Sequence, residues 1–200
     1  MRTSLASILT VFLLILSPSA WGADVTKGQD AYNSGDYQTA IAEWQPLAES
    51  GDAEAQFGMG LLYANGFGVP LDDNEALKWY GLAAEQQHAY AQCNIAVMYA
   101  NGWGVPQSDD EAFKWYSLAA EQGVIEAQNA VAKMYFGGFG APQSNVQAHK
   151  WYNIAAELGD LNAASKRDDL VPKLSPEELA EAKGLASTWL ENYQTLHANQ

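Results

Sequence analysis

Apolar and small residues recur along this chain with the spacing of one face of an α-helix. Between Ala89 and Ala100 they follow the i, i+4, i+7, i+8 pattern of an amphipathic helix: Ala91, Ile95, Met98 and Tyr99. Two glycines and a proline then interrupt the pattern, at Gly102, Gly104 and Pro106. Because glycine and proline disrupt helices, they predict a loop at this point.

A second helix is predicted after the loop. Ser108 stands three residues before Glu111, which is the spacing of a capping box at a helix start. The same spacing occurs twice more, at Asp72 with Glu75 and at Ser144 with Gln147. A glycine follows the predicted end of this second helix in several units, and it predicts a left-handed backbone conformation there. These glycines are Gly51, Gly123 and Gly159. Gln87 takes that place in one unit, where a left-handed conformation costs about 1 kcal/mol.

The two-helix pattern repeats with a period of 36 residues. Three loop segments are similar to one another in sequence, at 63–70, 99–106 and 135–142. Three helical segments are also similar to one another, at 75–80, 111–116 and 147–152. A single helix pair cannot bury its apolar face alone, so joined repeats of this length predict stacking into a solenoid.

Small and large residues recur at fixed places within each unit. The small ones are predicted to lie where helices approach closely: Ala55, Gly60, Ala91, Ala96, Ala127 and Ala132. Three tryptophans, Trp79, Trp115 and Trp151, are predicted to fill the gaps between units. Trp44 is predicted to be the equivalent of Trp79 in an N-terminal hairpin.

These motifs resemble the Sel1-like repeat, a relative of the tetratricopeptide repeat. The first unit carries the family's pattern in two helices: Ala55, Met59, Gly60, Tyr63, Gly66, Gly68, Val69 and Pro70, then Ala76, Trp79, Tyr80, Ala83 and Ala84. The resemblance covers about residues 27 to 165. It implies an all-α fold, a right-handed superhelical solenoid of stacked helix-turn-helix repeats with N- and C-terminal caps.

The chain is predicted to divide into six parts. These are a signal peptide at 1–22, a tetratricopeptide-like hairpin at 23–50, repeats at 51–86, 87–122 and 123–158, and a partial repeat with a capping helix at 159–200. Ser175 and Glu178 form a capping box that opens the last helix, with Pro176 at its first position. About ten helices and no strands are expected after the leader.

The first residues have the character of a secretory signal. Arg2 supplies a positive charge, an apolar run follows from Leu5 to Leu16, and Ala20 and Gly22 are small residues suited to cleavage. We expect cleavage after Gly22 and a periplasmic or secreted protein, with an uncleaved anchor as the alternative. No later segment has the length and apolarity of a membrane span, so no membrane insertion is expected after cleavage.

The chain is strongly acidic, with 10 Lys and Arg against 24 Asp and Glu. Without the leader, which contains Arg2 and no acid, the charge becomes 9 − 24 = −15. Such a surface repels nucleic acid and anionic lipid. It favours solubility, or a basic partner.

No catalytic, metal or cofactor site is predicted. The three histidines, His88, His149 and His197, lack metal-ligand spacing and are interpreted as surface residues. Cys93 has no second cysteine to pair with, and it is a buried filler, a free thiol or an intermolecular link. Some cysteine-rich Sel1-like relatives are described as binding or hydrolysing penicillin, but this chain lacks their paired cysteines and, after the leader, a Ser-x-x-Lys motif.

The resemblance implies a non-catalytic scaffold or adaptor in the bacterial cell envelope. The alternatives are a structural component of an envelope assembly, such as a motor or export complex, and a β-lactam-binding or β-lactam-hydrolysing enzyme. Another protein is the expected partner, either basic or an extended peptide, and a glycan is a second class of ligand.

The candidate partner-binding residues fall in two groups. One group comprises positions of the first helices that vary between units: Phe57, Leu61, Cys93, Val97, Asn129, Lys133 and Phe136. Cys93 is expected to be accessible on this stripe, so that its modification affects partner binding more than folding. The other group comprises loop aromatics between two glycines: Phe67, Trp103 and Phe139. These rings either fold back onto the core or form an exposed ladder, and the sequence leaves both open.

Overall fold

The computed structural model describes residues 22–198, and this part of the chain is built from ten α-helices without β-strands. The helices are α1 Val25–Ser34, α2 Tyr37–Glu49, α3 Ala53–Asn65, α4 Asp73–Glu85, α5 Ala89–Asn101, α6 Asp109–Glu121, α7 Ile125–Gly137, α8 Asn145–Glu157, α9 Leu161–Leu170 and α10 Pro176–His197. A short 3-10 turn, Val171–Lys173, joins the last two. The predicted all-α fold is confirmed. Apart from Gly22, the predicted leader lies outside the described residues.

The helices pack in the order in which they occur along the chain. Helices α3 and α4, α5 and α6, and α7 and α8 form three antiparallel pairs, and each pair packs against the next. The α1–α2 hairpin precedes them and α9 follows them. We call α3, α5, α7 and α9 the A helices, and α4, α6 and α8 the B helices. None of the helices within residues 22–198 has the length and apolarity needed to cross a bilayer.

The predicted helix ends are present. At α4, α6 and α8 only one half of each predicted capping box forms: the side chains of Asp72, Ser108 and Ser144 accept from backbone N–H groups, and no return bond is made in the described part of the chain. The full reciprocal capping box forms at α10, where Ser175 and Glu178 each bond to the other's backbone. Gln87 has φ 64° and is the one non-glycine residue with positive φ in the described part of the chain. Capping is a local interaction, which is why the sequence predicted these ends.

The predicted small residues do lie at close helix contacts. The five alanines among them are fully buried. A Cβ atom added to Gly60 would lie 2.4 Å from the ring of Tyr80, so this glycine lets α3 and α4 approach. A larger residue at such a site would force the helices apart.

Trp44 is the central side chain of the N-terminal hairpin. Its ring lies between Gly28 of α1 and Gly58 of α3, where an added Cβ would come within 2.3 and 2.5 Å of it. Its indole N–H donates to the carbonyl of Val25 over 3.1 Å. The prediction that Trp44 is the equivalent of Trp79 is wrong, because the 36-residue period places it at Tyr80. The side chains of Trp44 and Tyr80 are almost fully buried.

Helix α10 folds back across α8 and packs against it. Trp189 of α10 meets Trp151 edge to face, with ring centroids 6.0 Å apart, and donates to Glu121 over 2.6 Å. This contact leaves Trp151 only 3% exposed. Trp79 and Trp115 are half-buried, because no helix covers α4 and α6 in the same way. Trp79 and Trp115 still pack against the apolar cores around α2–α3 and α4–α5, so the predicted filling of gaps between units is complete for Trp151 and partial for the other two.

Candidate partner-binding site

Three pockets follow one another along one side of the stack, each between two successive A helices. The first pocket, between α3 and α5, has a volume of about 220 Å³. The second, between α5 and α7, has about 400 Å³, and the third, between α7 and α9, has about 220 Å³. We call this series the pocket row.

The three pockets are built from equivalent residues. Each contains a tyrosine from a B helix, in the order Tyr80, Tyr116 and Tyr152. Each also contains a flexible apolar side chain from the following A helix, in the order Met98, Met134 and Leu170. Both series have the 36-residue period of the repeat. The pocket row is thus a product of the repeat itself.

The tyrosines do not ionise in the physiological range. Burial raises the pKa of Tyr116 to about 12, and burial also raises the pKa values of Tyr80 and Tyr152. Tyr80 and Tyr152 are buried and Tyr116 is half-buried, so the three neutral side chains form the inner walls of the pockets. Such surfaces suit binding by contact and hydrogen bonding.

Two loop aromatics stand beside the first two pockets. Trp103 lines the first pocket and is 51% exposed, and Phe139 lines the second and is 52% exposed. Both rings are large apolar surfaces open to solvent. Exposed aromatics at a concave surface are typical of sites that recognise another molecule.

Loop glycines set the position of these rings. A Cβ on Gly104 would lie 3.0 Å from the backbone of Asp73, and one on Gly140 would lie 2.1 Å from the carbonyl oxygen of Asp109. Both glycines also have positive φ, at 67° and 65°. Only glycine permits this backbone at this distance. Each loop therefore sits against the B helix of the previous repeat, which places its aromatic residue beside the pocket.

Phe67 packs differently from the other two loop aromatics. It faces Tyr37, the first residue of α2, which occupies the place that Asp73 and Asp109 hold in α4 and α6. The rings of Phe67 and Tyr37 are stacked, with centroids 4.5 Å apart and planes inclined by 12°. A tyrosine offers a ring to stack on, whereas an aspartate does not. Phe67 consequently belongs to the N-terminal core.

The ten predicted partner-binding residues are distributed unevenly. Six line the pocket row: Leu61, Val97 and Trp103 in the first pocket, Lys133 and Phe139 in the second, and Phe136 in the third. Phe67 packs as described above. Phe57 is half-buried and stacks on His88 at 4.6 Å, and Asn129 is half-buried and donates to the carboxylate of Asp160.

The prediction that Cys93 lies on an accessible stripe is wrong. Its side chain is 7% exposed and belongs to the core around α6 and α7. Burial, with a smaller contribution from the charge of Glu126, raises the thiol pKa to about 11. At neutral pH the group is a protonated thiol surrounded by protein, which is unreactive as a nucleophile.

The interpretation of the histidines as surface residues is also wrong for two of them. His88 caps α5, since its Nδ1 accepts from the backbone N–H of Ala91 over 3.1 Å, and its Nε2 lies 3.0 Å from Glu54. His149 is fully buried. Burial, followed by the charges of Arg167 and Lys183, lowers its pKa. The side chain of His197 is outside the described part.

Charge changes sign along the pocket row. The first pocket has Asp73, the second has both Asp109 and Lys133, and the third has Lys166 and Lys173 with one aspartate, Asp169. These two lysines were not among the predicted partner-binding residues, although lysine is scarce in this acidic chain and that scarcity was a usable signal. The repeat spacing of the three tyrosines is typical of core positions, and Tyr80 and Tyr152 are indeed buried. Among residues 22–198, no group of three or more His, Cys, Asp or Glu is placed to hold a metal ion.

Comparisons with known proteins agree with this architecture. The profile of the Sel1 repeat matches three consecutive segments, 53–88, 89–124 and 125–160. A solved Sel1 repeat protein from Oxalobacter formigenes is 35% identical, with a TM-score of 0.61, and the match covers 65% of this chain and 98% of that one. No curated protein sequence matches the chain.

A more distant structure shares the fold alone. It is c5321, a protective antigen present in uropathogenic Escherichia coli strains and displaying an SLR fold. The identity is 24% and the TM-score 0.51, and the match covers 89% of this chain and 48% of the antigen.

Proposed function

Because this chain belongs to the Sel1 repeat family, we propose that it is a non-catalytic interaction module whose pocket row binds an extended polypeptide of a partner protein. Sel1 repeat proteins generally mediate protein–protein interactions, and their fold is typically a non-catalytic scaffold. The finer proposal rests on one observation: three equivalent pockets stand in series, and the first two carry exposed aromatic rings.

The spacing of the pockets suits an extended chain. Successive A helices each pack on the B helix between them, and since packed helices lie about 8–10 Å apart, we take neighbouring pockets to be about 10 Å apart. A polypeptide in polyproline II conformation advances about 3.1 Å per residue, or about 9 Å for three residues. Every third side chain of such a ligand would therefore meet a new pocket.

The residues that could support catalysis are engaged elsewhere. Cys93 is buried with a raised pKa, His149 is buried, and the Nδ1 atom of His88 is used as a helix cap. The pocket row combines aromatic, methionine and leucine side chains with charged ones, which are concentrated in the third pocket. Such surfaces supply contact area and shape, which is what recognition requires.

We further propose that the protein acts in the cell envelope after export. The support is the predicted leader, with Arg2, the apolar run from Leu5 to Leu16, and Gly22. N-terminal sequencing of protein recovered from the periplasm or medium should begin at Ala23. Recovery of Met1 in that material would contradict cleavage.

Binding can be tested with peptides of defined chemistry. We would screen a library of N-terminally fluorescein-labelled dodecapeptides with free carboxyl termini against the purified protein, by fluorescence polarisation. The variant Trp103→Ser/Phe139→Ser should bind the selected peptides at least about tenfold more weakly, because buried aromatic anchors dominate such interfaces.

A matched control is available on the outer face of the B helices. Leu82 and Leu118 are also exposed apolar residues 36 positions apart, and they lie away from the pocket row. The variant Leu82→Ser/Leu118→Ser should retain peptide binding. The proposal fails if the library contains no binder, or if the pocket variant and the control bind selected peptides equally well.

A further inference from the structure

We propose that the third pocket binds the carboxyl-terminal residue of the partner polypeptide, with its side chain in the pocket and its carboxylate beside Lys166 and Lys173. This inference rests on the proposed function, since it assigns a direction and an end to the peptide in the pocket row. It is carried by the charges of the pocket, by the nature of its walls and by its place at the end of the row.

The two lysines are held at the pocket by aromatic rings. The ammonium group of Lys173 lies 4.4 Å from the ring centroid of Phe136, and that of Lys166 lies 5.6 Å from the ring centroid of Tyr152. Neither ammonium group has a carboxylate within 4.0 Å among the described residues. Asp169 also lines the pocket, so its three charged side chains sum to one positive charge.

This local charge contrasts with the rest of the molecule. The chain has a net charge of −14, and the leader contains one of its ten Lys and Arg residues. Two of the remaining nine therefore line a single pocket. Three others, Lys27, Lys78 and Lys114, each form an ion pair with a glutamate. Lys166 interacts electrostatically with Asp160 without forming an ion pair with it, and ammonium groups outside ion pairs attract an anionic group of a ligand and repel a cationic one.

The walls of the third pocket favour a ligand that has an apolar side chain as well as an anionic group. Phe136, Tyr152 and Leu170 form an apolar surface next to the lysines, in a volume of about 220 Å³ that suits one side chain. A terminal residue carries its side chain and its carboxylate on the same Cα atom, so both can enter this site. Within a peptide, an acidic residue and the apolar residue next to it cannot both enter the pocket. Their side chains point in different directions, because successive side chains of an extended peptide do so.

The third pocket stands at the end of the pocket row, where the end of a bound peptide is expected. The third pocket is bounded by α9, the last A helix, and Lys173 belongs to the turn that leads away to α10. In residues 22–198, no further helix pair continues the stack. A peptide that follows the row therefore reaches its last pocket here, while the acidic first pocket, with Asp73, faces a more N-terminal part of the ligand.

The test compares each selected dodecapeptide with its C-terminal amide. We expect the free acids to end in a large apolar residue such as Phe, Leu or Met. Amidation should weaken binding by about tenfold, which is the combined effect of two partly exposed ion pairs. In the variant Lys166→Gln/Lys173→Gln, the free acid and the amide should bind equally.

A charge-matched control removes two lysines elsewhere. Lys78→Gln/Lys114→Gln changes the net charge by the same amount on the outer face and should preserve the difference between acid and amide. The inference is overturned, and the proposed function survives, if peptides bind the row and amidation has no effect. It is also overturned if the lysine variant still distinguishes acid from amide. A library with no binder overturns both proposals.

Discussion

The side-chain amide of Gln122 donates a hydrogen bond of 2.8 Å to Oε1 of Gln92. Gln86 makes the same 2.8 Å bond to Gln56 one repeat earlier. The accepting glutamines are buried on A helices, and each also donates to a backbone carbonyl of the preceding helix, that of Ala48 for Gln56 and that of Ala84 for Gln92. In the third repeat, Leu158 takes the place of the donor, and Oε1 of Gln128 is buried with no hydrogen-bond partner in the described part of the chain.

The glutamine pairs predict opposite effects of two substitutions. Gln122→Leu should leave Oε1 of Gln92 without its donor and reduce stability by about 1–3 kcal/mol. Leu158→Gln should supply the donor that Gln128 lacks and raise stability by up to about 1 kcal/mol, offset in part because the leucine side chain no longer packs there. Thermal unfolding would measure both, at about 2–4 °C per kcal/mol for a chain of this size. An unchanged melting temperature for Gln122→Leu would show that the bond contributes little.

The three loop aromatics should differ in their effect on stability. Phe67→Ser removes a half-buried ring stacked on Tyr37 and should lower the melting temperature by several degrees, since truncating a fully buried aromatic costs about 3–5 kcal/mol. Trp103→Ser and Phe139→Ser should change it by no more than about 2 °C, because half of each ring is already in water. Equal losses in all three variants would refute the division between a core ring and two binding rings.

The buried His149 should make the protein sensitive to mild acid. Its pKa in the folded state is lowered by burial and then by Arg167 and Lys183, while Asp168 opposes the shift. As the pH falls below about 6.5, the unfolded chain binds a proton that the folded protein resists, so stability decreases, by at most about 1.4 kcal/mol per pH unit. Above that pH the imidazole is neutral in both states and the effect vanishes.

His149→Leu provides the test, because Leu77 occupies the equivalent position two repeats earlier. Urea unfolding between pH 7.5 and 5.5 should show that the variant loses less stability than the unchanged protein as the pH falls. Parallel curves for the two proteins would exclude His149 as the acid-sensitive group.

Cys93 should resist modification in the native protein. Its thiol is buried and its pKa is raised to about 11, so both access and thiolate population are low. Titration with a bulky disulfide reagent should give no reaction under native conditions and one thiol after denaturation in urea. Rapid native labelling would mean that the core around α6 and α7 opens readily.

The sequence by itself determined the helix pairs, their ends and the period of the stack. Ser108, Gly123 and the left-handed Gln87 act on backbone groups a few residues away, so the chain contains all that these features require. The burial of the repeated alanines could be predicted from the sequence for a similar reason. A small residue repeated every 36 positions marks a contact that every unit makes.

The tertiary structure alone decided which of the equivalent residues are exposed. Trp151 is buried and Trp115 only half-buried because α10 returns to cover one B helix and not the other. Phe67 is packed and Phe139 is open because a tyrosine begins α2 where an aspartate begins α6. In each case the deciding neighbour is remote in sequence and differs between repeats. A repeat pattern describes what the units share, whereas the exposure of a side chain depends on the partner that each unit meets.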